Sequence, residues 1–178
     1  VQRMMAWLLF MPASEVAGAH AMQLGLGAGA LTKTGAGTVV LGAATTYTGN
    51  TRISAGGLTL GHSGSLANST LDLNAADLGT LSFGTLTTAG FGGLQGTRAL
   101  SLTNAASTPA AVRLTLGSNN QSTVYSGVLS GLGGVTKVGT GSLALVGVNT
   151  NAGKTVVNGG TLIINSDGSY TFTPVANY

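Results

Sequence analysis

Gly61-His62-Ser63-Gly64-Ser65 sets a serine beside a histidine in a glycine-framed turn, a pattern close to the one that exposes a nucleophilic hydroxyl above a strand. Ser65 stands where the closing glycine is needed and no helical periodicity follows, so the segment reads as a turn. Asp72 and Asp77 are the next candidates, since two carboxylates can divide acid and base work on a glycosidic bond. The chain has only 4 acidic residues, and solvated turn and strand-edge positions are the better reading of this pair. Gly25-Leu26-Gly27-Ala28-Gly29-Ala30 has the spacing of a dinucleotide loop but lacks the strand before it and the helix after it. His20 and His62 stand alone and give no metal-ligand spacing. Asp167 is a lone carboxylate where calcium needs six to eight oxygens, so it reads as a turn former. Lys33 and Lys137 read as solvated positions or as charged guards of a strand edge. The sequence therefore offers no catalytic residue, no cofactor site and no metal site.

Composition narrows the classes further. Charged residues are 6% of the 178, against roughly 25% in an ordinary globular domain. Hydrophobic residues are 43% and glycines number 30, which is too apolar for a disordered chain. No apolar run reaches the ~18 residues of a transmembrane helix. The net charge of +3 comes from a scarcity of acids and forms no basic block, and only 5% of residues are aromatic. Nucleic acid is excluded as a partner on those grounds. With 0 cysteines there is no disulfide and no thiolate chemistry.

What the chain does carry is a repeat. Leu31–Gly61 (LTKTGAGTVVLGAATTYTGNTRISAGGLTLG) aligns without a gap on Val135–Asn165 (VTKVGTGSLALVGVNTNAGKTVVNGGTLIIN), each residue i matching i + 104. The identities are glycines, threonines, leucines and one lysine. Within each copy the aliphatics alternate: Val39 with Leu41, Thr51 with Ile53, Leu58 with Leu60, then Leu143 with Leu145, Thr155 with Val157, Leu162 with Ile164. Residues two apart in a strand share a face, so these pairs predict half-buried strands with inward aliphatic steps. Glycines and Asn158-Gly159 punctuate them as turns. LDL (71–73), TLSFGTL (80–86), ALSL (99–102) and VRLTL (112–116) continue the same beat between the copies. A β-sandwich and a parallel β-helix both fit such strands. The gapless long-range repeat favours an all-β, right-handed parallel β-helix of about six coils, about 20 residues each.

The ordered series from Thr32-Lys33 to Leu58, and from Thr136-Lys137 to Leu162, resembles the passenger-associated β-strand repeat of bacterial autotransporters. The resemblance covers about residues 24–165, within a β-helical passenger region of 22–165, with linker coils between the copies. It implies a noncatalytic, secreted, surface-exposed stalk that serves as an adhesion or display scaffold. It also implies an outer-membrane β-barrel translocator as C-terminal partner. The rival readings are a module that itself binds glycan or a host-cell surface, favoured if Tyr47, Phe91 and Tyr125 cluster in solvent, and a β-helical polysaccharide enzyme. Residues 1–21, with Arg3 ahead of an apolar run and Ala19-His20-Ala21, read as a secretory signal peptide or an N-terminal cap. Residues 160–178 are similar to the opening hairpin of the cadherin-like or Ig-like repeats of large bacterial adhesins, with Asp167-Gly168 as its turn.

Overall fold

The computed structural model describes residues 27–164 and the strand at 171–172. The signal-peptide or cap segment 1–21 and the Asp167-Gly168 turn lie outside the described residues.

Every regular element among the described residues is a strand. In chain order they are β1 (Leu31–Lys33), β2 (Thr38–Leu41), β3 (Thr51–Ile53), β4 (Gly57–Leu60), β5 (Leu66–Leu73), β6 (Thr80–Ser82), β7 (Thr88–Gly96) and β8 (Leu100–Ser101). They continue with β9 (Arg113–Leu116), β10 (Thr123–Tyr125), β11 (Leu129–Ser130), β12 (Gly134–Lys137), β13 (Leu143–Leu145), β14 (Thr155–Val157), β15 (Leu162–Ile164) and β16 (Thr171–Phe172).

Most strands pair in parallel with the one a coil earlier or later, which is the signature of a β-solenoid. On the first face the register runs Leu31 to Thr51 to Leu71 to Leu94, crosses from Gly96 to Tyr125, and continues to Leu145 and Ile164. Seven rungs make six turns, as the repeat length predicts. The second face carries β2, β4 and β6 in one ladder and β8 with β11 in another. The third joins the first half of β7 to β9, β12 and β14. β5 and β7, at 8 and 9 residues, run through a corner and belong to the first and third faces together. At the last rung β16 pairs antiparallel with β15, through Leu162 with Phe172, so the ladder ends in a hairpin.

The two repeat copies do not sit on the same faces. The first places its opening strands on the first and second faces; the second places β12 on the third and β13 on the first. An offset of 104 residues is four turns and about two-thirds of another, because the segment at 103–111 lengthens one coil. That segment closes on itself through an antiparallel bridge between Thr103 and Ala111.

Alternation explains the core. Leu41, Ile53, Leu58, Leu60, Leu71, Leu94, Leu114, Leu143 and Leu145 all face inward and are buried. Tyr47, Phe91 and Tyr125 join them, so the three aromatics fill the core and form no exposed cluster. Phe83 stacks on Phe91 with ring centroids 6.1 Å apart. The interior also holds a line of hydroxyls. Ser69 Oγ donates to Gly49 O at 2.6 Å, Thr51 Oγ1 lies 2.8 Å from Ser69, and Tyr47 Oη lies 2.6 Å from Thr51. Because Ser69 spends its proton on the carbonyl, Thr51 donates to Ser69 and Tyr47 donates to Thr51. Each polar atom is thereby satisfied without water. Tyr47→Phe removes the first donor and should lower stability by about 1 kcal/mol, read from the midpoint of a denaturant titration. No change would show that this line is not intact in solution.

Candidate functional site

The residues with chemical potential are dispersed and engaged in structure. Ser63 is exposed on a turn, and His62 Nδ1 accepts from the Gly64 N–H at 3.0 Å. Ser65, in place of the closing glycine, is buried, with Oγ 2.7 Å from His62 O and 2.9 Å from Leu41 O. It ties this turn to the coil before it and is held away from any substrate. Among the described residues, no group of three or more His, Cys, Asp or Glu lies together as a metal site would require.

Asp77 departs from the solvated position expected of it. Its side chain is 4% exposed and takes both Arg52 bonds, Nη2 to Oδ1 at 2.8 Å and Nε to Oδ2 at 3.1 Å. Two coils converge here, since Arg52 lies on β3 and Asp77 in the loop after β5. Asp72 is in register with Arg52 on the neighbouring strand and accepts from Gln95 Nε2 at 3.1 Å. The guanidinium bonds of Arg52 hold the Asp77 carboxyl below its ordinary pKa, against the opposing pull of burial. A general acid needs the reverse shift, so the pair is built for anchoring. Its contribution is present above the unfolded-state pKa, near 4, and is lost as pH falls through the lower folded value. Thermal stability should therefore be flat from neutrality to about pH 5 and fall below about pH 4. Asp77→Asn should remove most of that slope; an unchanged slope in a melting series across pH would show that Asp77 does not cause it.

The recurring lysines require a larger correction: they are neither solvated nor edge guards. Lys33 is 7% exposed and Lys137 only 1%. Lys33 Nζ donates to the carbonyls of Thr34 at 2.7 Å, Gly35 at 2.8 Å and, one coil on, Ala55 at 3.1 Å. Lys137 Nζ repeats this with Val138, Gly139 at 3.2 Å and Gly159 at 3.5 Å. The corners can aim carbonyls at the ammonium because Gly35 and Gly139 have φ of 73° and 69°. Gly56 and Gly160 close the cradle from the next coil, and a Cβ there would come within 2.7 Å of Lys33 Nζ and 2.9 Å of Lys137 Nζ. Burial lowers both lysine pKa values from the ordinary one. The lysine with its glycines is thus a clamp between successive coils.

The wall of the solenoid is open between two of its ladders. A cleft of about 270 Å³ separates β6 from β8 on the second face, with Arg98 and Asn104 among its lining residues. Arg98 Nη2 donates to Gly79 O, while Nη1 is buried with no hydrogen-bond partner among the described residues. Neither the cleft nor Arg98 was visible as a site in the sequence. A single arginine between two short strands gives no spacing signal.

A coiled ladder of short parallel strands, clamped once per repeat and with no converging catalytic groups among the described residues, defines a β-solenoid scaffold. Residues 31–60 and 135–164 each match the passenger-associated-transport-repeat family, and the chain belongs with the passenger-repeat proteins of autotransporters. It is 35% identical over 144 residues to a protein described as adhesin BmaC autotransporter, from Brucella suis biovar 1 (strain 1330). The match takes in 77% of this chain and 4% of that protein, so the chain spans a small part of its relative's length. No solved structure matches the chain.

Proposed function

We propose that these coils are a noncatalytic spacer in the surface-exposed passenger of an autotransporter-type adhesin, passed outward by a C-terminal outer-membrane β-barrel translocator. The observation that carries this is the first-face ladder, which continues from Leu31 to Ile164 through both repeats. Six steps at about 4.8 Å per rung give a rod segment about 29 Å long. Such a rod holds whatever lies beyond it at a set distance from the membrane. The similarity to an adhesin supports a role in contact with a host-cell or glycan surface. The engagement of Ser65, Asp72 and Asp77 in internal bonds supports a role without turnover.

The test uses bacteria that display the full-length protein with an epitope inserted at Ser107, which is exposed. The epitope should be labelled on intact cells and removed by external protease; labelling only after permeabilisation would overturn surface display. Deleting the coils at 27–164 should abolish adhesion, and an equal number of unrelated solenoid coils should restore it. Failure of that replacement to restore adhesion would favour the rival reading, in which this segment binds a ligand itself.

A further inference from the structure

The cleft between β6 and β8 has the makings of a ligand site. It is pinned at both ends. At one end Thr97 and Arg98 donate their N–H groups to Leu73 O at 3.0 and 3.2 Å. At the other, Ala105 N donates to Gly84 O at 2.7 Å and Asn104 Nδ2 to Thr85 O at 3.1 Å. Between the pins the two strands do not pair: β6 pairs with β4 and β8 with β11.

The walls therefore present strand edges. Thr80 N–H reaches back to Gly56 O at 2.8 Å, and the Leu100 and Leu102 N–H groups reach forward to Val128 O and Ser130 O at 2.9 and 2.7 Å. Successive residues of a strand turn their backbone groups to opposite sides, so the N–H and C=O of Leu81 and of Ser101 face across the cleft. Its apolar lining comes from Leu73, Phe83 and Leu100. Its charge comes from Arg98. Asp77 lies within the field of that guanidinium but gives both oxygens to Arg52, which leaves Arg98 without a carboxylate partner among the described residues. A buried guanidinium nitrogen with no acceptor is costly and is expected to be matched by one.

We infer that this cleft binds a single carboxylated sugar unit, with its carboxylate on Arg98 and its hydroxyls on the open edges of β6 and β8. A guanidinium fork suits a carboxylate, sugar hydroxyls suit backbone groups that both donate and accept, and the apolar lining suits a ring face. The space admits a monosaccharide and little more. This inference goes beyond the spacer reading by adding a small-ligand site to the rod, and the spacing role does not run through it. That reading stands on the continuity of the ladder and on surface labelling, so a failed titration leaves it intact.

The test is an amide-resolved NMR titration of the whole chain with methyl glucuronide, methyl glucoside and inorganic sulfate in separate samples. Saturable shifts at Leu81, Arg98 and Ser101 are expected with the glucuronide, and none with the glucoside at the same concentration. Arg98→Met should weaken binding at least tenfold, whereas Arg113→Met, at an exposed position on the third face, should leave it unchanged. Ala99→Trp, at an exposed lining position, should fill the cleft mouth and also abolish binding, which covers the case of an Arg98 variant that fails to fold. Equal shifts with the glucoside would remove the role of charge, and equal shifts with sulfate would reduce the site to an adventitious anion contact. Either result, unaltered binding in both variants, or no shifts at all, overturns the inference.

Discussion

Leu145→Ala is expected to cost about 2–5 kcal/mol, the range for truncating a fully buried leucine whose surroundings cannot collapse. Leu145 is 2% exposed and lies in register between Tyr125 on the coil before and Ile164 on the coil after. In a solenoid each residue of the inner column is covered mainly by its two stacked neighbours, so the cavity has few atoms available to fill it. Tyr125 is further held by its hydroxyl, which donates to Arg98 O at 2.6 Å. Its ring is therefore fixed in place beside the new void. The adjacent Val146 is 37% exposed, and Val146→Ala should change stability by no more than about 0.5 kcal/mol. Denaturant midpoints of the two variants decide the matter. Equal losses would mean that Leu145 and Val146 are misassigned as inward and outward positions.

The alternation that identifies Leu145 as inward was legible from the chain alone, and so was the stacking, because period-two patterning and a gapless repeat are local and translational signals. Val39 and Leu41, Leu58 and Leu60, Leu143 and Leu145 all fall on inward steps as their spacing requires. What could not be read was the phase between the copies. It depends on how many residues each corner consumes, and the added length at 103–111 moves the second copy round by one face. The cleft has the same origin, since Asn104 and Ala105 of that segment pin one of its ends. Burial of charge was equally hidden. Arg52 and Asp77 are 25 residues apart and meet only because one coil lies on the next. A signal for the lysines was nonetheless present: each is followed by glycine two positions on and again 23 positions on, as Lys33 by Gly35 and Gly56, and Lys137 by Gly139 and Gly160. Those glycines build both sides of the carbonyl cradle, a geometric reason that a reading of lysine as a surface residue passes over.

Lys137→Met tests that cradle and should destabilise the chain by about 2–4 kcal/mol. Methionine keeps most of the length and the apolar stem, so the loss isolates the three bonds from the ammonium to Val138, Gly139 and Gly159. Hydrogen bonds to a charged group contribute about 1.5–3 kcal/mol each in favourable cases, and carbonyls stripped of their donor inside a corner add a desolvation cost. The cost of burying the ammonium opposes these terms, which keeps the expected loss well below their sum. Lys137→Arg should not rescue, because a planar fork cannot direct three donors into a cradle whose opposite side is closed by Gly160. Lys154, which is exposed, serves as the control, and Lys154→Met should shift stability by less than about 0.5 kcal/mol. If Lys137→Met and Lys154→Met have the same denaturant midpoint, the ammonium is not holding the coils together. If Lys137→Met alone falls, the one charged residue identical in both repeats is a structural cation, positioned by glycines to replace the backbone pairing that a tight corner must give up.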